Sequence, residues 1–144
     1  MSVLYDYFVA FTDDEAEAML EDGPDGELLL LELKGLDPHD LIAVEALLTG
    51  AGVDATIGRG HAPRIVASLP GHHTVVLFLD DGLRDALAGA TAERLTAVAA
   101  AWARLRALVA QEDLDALTDL LGQLVWLARE ARDSGAHLYC WVGV

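Results

Sequence analysis

The chain has 144 residues, 53% of them hydrophobic and 23% charged, and its 24 acidic against nine basic side chains give a formal charge of −15. This length fits one domain, residues 1–144, able to bury about 70% of the unfolded surface without a disulfide or metal staple, and the apolar share excludes a disordered chain. So negative a field repels phosphate backbones and anionic lipid, which argues against nucleic acid and membrane surfaces and for cationic protein partners.

SVLYDYFVAF opens the chain with period-2 alternation. Val3, Tyr5, Tyr7, Val9 and Phe11 share one face, and Leu4, Asp6, Phe8 and Ala10 the other. Aromatic and β-branched residues on both faces predict a largely buried strand. Asp6 interrupts it, either at an edge facing water or as a buried carboxylate paired with Arg64 or Arg84. Thr12 and Glu15 form the T-x-x-E spacing of a capping box, which predicts a short acidic helix to about Leu20. The first 33 residues hold ten carboxylates and no Lys or Arg, and so supply −10 of the −15. Asp13, Asp14, Glu15, Glu17, Glu21 and Asp22 are therefore the candidate contacts for a basic partner surface. The run from Glu21 to Gly26 reads as a turn.

Glu27–Leu33 is apolar at its centre, and its brevity favours a strand. Asp37-Pro38 starts a helix, with Leu41, Val44, Leu47 and Leu48 on one face and Gly50 ending it. Residues 50–63 contain four glycines and a proline. They read as the longest loop and the most mobile segment. If the protein instead binds a small molecule or catalyses a reaction, its pocket is expected under this loop, with Asp6, Arg59 and His61 supplying polarity.

RIVASL and HTVVLFLD read as a hairpin turned at Leu69-Pro70-Gly71-His72. Asp80 or Asp81 caps a short helix over residues 83–88. Thr91 caps a longer one with Leu95, Val98, Trp102, Leu105 and Val109 along its buried face. Asp113 opens a last helix whose seam runs Leu114, Leu117, Leu121, Leu124, Val125, Ala128 and Ala131, stopped by Ser134-Gly135. Trp126 falls off that seam beside Val125 and Leu127, as an interface anchor would. HLYCWVGV closes the chain as a buried strand. Strands early and at the end, with two long helices in the C-terminal half, predict an α+β domain: a mixed or antiparallel sheet packed by helices.

No catalytic constellation is legible. Nucleotide-cradle and nucleophile-elbow motifs are missing. The lone Cys140 lies between Tyr139 and Trp141 as a buried thiol, offers no metal-ligand pair, and suits a reducing cytoplasm. His72-His73 is the one adjacent histidine pair. On a strand its rings diverge, so no metal and no cofactor is expected. No basic leader and no run of eighteen apolar residues predicts a signal peptide or a membrane helix.

The helix LIAVEALLTG and the segment VWLAREARDSGAHLYCWVGV resemble the YfbM-like family of small bacterial proteins. The resemblance rests on Leu47-Leu48-Thr49-Gly50 and on Arg129, Ala131 and Gly135 before a final apolar strand. The family's Lys-x-Trp is replaced here by Asp37-Pro38-His39-Asp40. The resemblance implies an α+β fold and brings no reaction with it. The expectation is a cytoplasmic, non-enzymatic domain that binds a basic protein surface, in its sharper form an immunity or antitoxin-like protein, with homo-oligomerisation through apolar helix faces as a further possibility.

Overall fold

The computed structural model describes residues 3–24, 29–33, 35–71, 73–107 and 110–143. Expectations for residues 25–28, His72, Val109 and Val144 lie outside these. The fold is α+β. Five strands, β1 (Leu4–Ala10), β2 (Leu30–Glu32), β3 (Arg64–Ser68), β4 (Val75–Leu79) and β5 (His137–Gly143), form one sheet in the order β2-β1-β5-β4-β3. Every neighbouring pair is antiparallel, so of the two sheet types expected the antiparallel one is realised. The C-terminal strand β5 lies at the centre, with Tyr7 opposite Cys140 and Leu77 opposite Cys140 on its other side.

The alternation in β1 sorts its side chains between two layers. Tyr7 and Val9 enter the larger core with Leu79, Leu138 and Cys140. Phe8 enters a smaller core on the opposite face with Val76 and Tyr139, where the Phe8 and Tyr139 rings stack at 5.6 Å. The larger core is covered by α2 (Leu41–Thr49), α4 (Asp81–Ala88), α5 (Ala92–Leu105) and α6 (Gln111–Ser134). The smaller is covered by α1 (Asp13–Glu17) and the turns after it, through Ala16 and Leu20.

Local signals set most boundaries. Thr12 Oγ1 accepts from the Glu15 amide at 3.1 Å, while Glu15 reaches back to the Phe11 amide at 2.8 Å, one residue earlier than a standard capping box. Asp37 caps a 3₁₀ turn over Pro38–Asp40 that leads into α2. Gly50 and Gly135 end α2 and α6 at φ +76° and +72°, a backbone region that disfavours side chains. The hairpin closes with the Leu69 amide bonded to the Thr74 carbonyl, and β3 carries an irregularity between Ile65 and Ala67.

Three expectations change. Residues 50–63 are not one loop, because α3 (Val53–Gly58) forms inside them. No side chain caps it, but Thr56 is buried and its hydroxyl donates to the Gly52 carbonyl at 3.0 Å, so packing supplies what propensity lacks. The last helix starts at Gln111 instead of Asp113, since Gln111 and Glu112 are good helix formers and acids are favourable in a first turn. Leu105, expected on the buried face of α5, is 68% exposed because α5 ends there.

Candidate functional site

Four strand ends meet at one rim of the sheet. β1 ends at Ala10 opposite His137, the first residue of β5, while Arg64 at the start of β3 faces Phe78 near the end of β4. The apolar alternation stops here, and three polar groupings take over.

The first joins α1 to the sheet. Tyr139 donates its hydroxyl to Asp13 Oδ1 at 2.8 Å, and Arg64 reaches Asp13 Oδ2 at 3.2 Å with its guanidinium over the Phe78 ring. The Tyr139 hydroxyl, then Arg64, hold the Asp13 carboxyl below its ordinary pKa, while burial pushes the Tyr139 phenol up. The second grouping secures α4. His137 Nδ1 contacts Asp81 Oδ1 at 2.7 Å, and Arg84 bridges Asp81, Asp85 and the Ala136 carbonyl, the last at 2.7 Å.

The third joins α2, the segment after α3 and the start of α4. Glu45 projects from α2 and is only 3% exposed. Its Oε2 lies 2.6 Å from His61 Nδ1, and His61 Nε2 lies 3.5 Å from Asp80 Oδ2. The carboxylate oxygen accepts this bond when His61 carries its proton on Nδ1. The bond to Glu45 is the main cause that raises the His61 pKa; burial and the nearby Arg59 charge oppose it. Asp80 is fixed in turn by capping α4, accepting from the Gly82 amide at 2.6 Å. A carboxylate–imidazole–carboxylate chain of this kind can hold a proton or a cation between its members.

Of the three residues expected to line a ligand site, His61 alone enters this chain. Arg59 is exposed at the end of α3, and only its charge reaches His61. Asp6 shares the β1 face of Phe8, on the side away from α2. It is half-buried on an interior strand, its pKa raised by burial and by Glu32, and it pairs with neither expected arginine: Arg64 holds Asp13 and Arg84 holds Asp81 and Asp85. Cavities do border the two ends of the 50–63 segment. One of about 330 Å³ is lined by Leu47, Gly50, Ala51 and Val53. One of about 360 Å³ lies between α2 and α5, lined by His39, Ile42, Val53, Trp102 and Arg106, and one of about 310 Å³ lies over Tyr5, Ile65, Leu77 and Val142. None of these is lined by Asp6, Arg59 or His61. Neither Glu45 nor Asp80 belongs to a Cys/His ligand spacing, which leaves both inconspicuous as ligands in the sequence. The signal for Glu45 was present: it follows Leu41 by one helical turn and so falls among apolar positions.

The acidic surface is a separate feature. Asp14, Glu15, Glu17, Glu21 and Asp22 are exposed, whereas Asp13 is engaged by Arg64 and Tyr139. The backbone beneath them is pinned by buried Ala16 and Leu20 and by Trp141 Nε1 donating to the Leu20 carbonyl at 2.9 Å. Trp126 is 46% exposed on α6, across the sheet from α1, so one flat partner surface cannot cover both. Cys140 is buried, and burial raises its pKa well above that of a reactive thiol.

No family model, curated protein or solved structure matches the chain, so the YfbM-like resemblance rests on its short motifs alone. Among the described residues, no helix is long and apolar enough to cross a membrane.

Proposed function

We propose that this protein is a non-enzymatic binding domain that covers a basic surface on a partner protein through the acidic segment of residues 14–22. The supporting observation is the contrast between the charges and the backbone that carries them. Five carboxylates point to water without an ion-pair partner among the described residues, on a segment locked to the sheet by Ala16, Leu20 and Trp141. Acid that served solubility alone would need no such anchoring. A fixed array loses little conformational entropy on docking, and complementary charge speeds encounter and selects partners. A toxin-like basic protein is the sharper form of the partner, which makes this chain immunity-type or antitoxin-like. A cytoplasmic site of action goes with the single buried thiol.

The test separates a local surface from net charge. A Lys- and Arg-rich peptide is titrated against the protein and two variants of equal charge, E17Q/E21Q/D22N and E112Q/D113N/D119N. The first variant should bind several-fold more weakly and the second should match the parent. Binding should weaken between about 50 and 500 mM NaCl, because exposed charges are screened over a few ångströms at high salt. Equal losses in both variants, or affinity indifferent to salt, overturn the proposal.

A further inference from the structure

We propose that Glu45, His61 and Asp80 form a binding site for one divalent transition-metal ion of the zinc or manganese type. Each offers one donor atom, and the three donors lie within 4.8 Å of one another. They come from three elements: the middle of α2, the residue range after α3, and the cap of α4.

The donor set selects the class of ion. One imidazole nitrogen with two carboxylate oxygens suits borderline divalent ions; magnesium and calcium take oxygen donors alone, and the thiolate that would favour soft ions is absent from the cluster. Two carboxylates match a double positive charge. Three protein donors leave a position for water, the arrangement of open zinc sites. Access is graded: the side chains of His61 and Asp80 are 26% and 25% exposed, and Glu45 closes the floor at 4%.

The surroundings hold the donors in place. The Gly82 amide fixes Asp80 Oδ2 at 2.6 Å. A Cβ on Gly82 would stand 2.6 Å from His61 Nδ1 and Cε1, so the ring rests directly on the first turn of α4. Supporting contacts of this kind orient metal ligands. An ion here would tie α2, α3 and α4 together and stabilise the fold by mass action. The inference is independent of the acidic surface on the other sheet face.

The test uses the full chain after treatment with a chelator. Zn²⁺ and Mn²⁺ are titrated by calorimetry into the protein, His61→Gln, Glu45→Gln and the surface variant E17Q/E21Q/D22N. We expect one ion per chain, an affinity reduced more than about tenfold in each site variant, and no change in the surface variant. Co²⁺ provides a measurement that needs no variant, since its visible spectrum reports coordination. A spectrum that intensifies with one equivalent supports the site. Binding absent up to about 1 mM ion, unaffected by His61→Gln, or lost in the surface variant overturns it, as does a Co²⁺ spectrum that stays that of the aqua ion.

Discussion

Gly82 has no room for a side chain, and that constraint reaches the buried Glu45 through one contact. An alanine methyl would press on the His61 ring at 2.6 Å and on Asp80 Oδ2 at 2.8 Å. Either the ring moves and leaves the Glu45 carboxylate without its donor, or the first turn of α4 shifts. Gly82→Ala should therefore cost about 1–3 kcal/mol in urea denaturation and displace the His61 ring resonances in NMR. A cost within about 0.5 kcal/mol with unmoved resonances would mean the ring gives way freely. Asp13 supplies a pH signature. Its folded pKa lies below the ordinary value, first through the Tyr139 hydroxyl and then through Arg64. A lowered folded pKa contributes stability above the unfolded value, and that contribution is lost as pH falls through the folded one. The gap in stability between the parent and Tyr139→Phe should accordingly be wider at about pH 7 than at about pH 3, read by denaturant titration at each pH. A gap of the same size at both would assign the hydroxyl a role other than holding the carboxylate.

At the scale of elements, α1 and α3 are both too short to persist alone, and each depends on a different support. α1 has the cap from Thr12 and the return bond from Glu15. Thr12→Ala should cost about 1 kcal/mol. The loss should appear as faster amide hydrogen exchange across Asp13–Glu17, with the core of α6 still protected. Because Asp14, Glu15 and Glu17 of the acidic surface sit on that helix, the same variant should also weaken binding to a cationic peptide. α3 has no side-chain cap and leans on buried Thr56. The sheet edges are blunted in ways that resist further pairing: β2 is three residues long and ends on Glu32, and β3 starts on Arg64 and is irregular after Ile65.

For the whole molecule, charge opposes compactness. A formal −15 on 144 residues, with 24 acidic side chains against nine basic ones, leaves more carboxylates than cations to pair with them. Screening should relieve that repulsion, so Tm should rise as NaCl increases from about 50 to 500 mM, measured by calorimetry. A Tm that falls would show that the attractive pairs, Arg64–Asp13 and Arg84–Asp81 among them, outweigh the repulsion. The distribution matters as much as the total. The long helices close one face of the sheet with apolar side chains, and the acid-rich segment of residues 13–22 lies over the other, tied to β5 through Trp141.

The sequence by itself determined what depends on neighbours along the chain. The two-faced alternation of residues 3–11, the caps at Thr12 and Thr91, the stops at Gly50 and Gly135, the pairing of β3 with β4 and the apolar seam of α6 were all legible from nearby residues, though the expected turn at Leu69–His72 closes wider, at Thr74. They were enough for the α+β class and its antiparallel option. The same reading lost α3, because the glycines around it read as a loop and its six residues are too few to give a periodic signal. It also left the strand order open, since nothing local says that β5 must enter between β1 and β4. Only the tertiary structure brought Glu45, His61 and Asp80 to one place and set Asp6 on the far face of the sheet. The reason is physical: those meetings are decided by register and layer packing, which arise between residues distant in the chain and leave no mark on the spacing of any one segment.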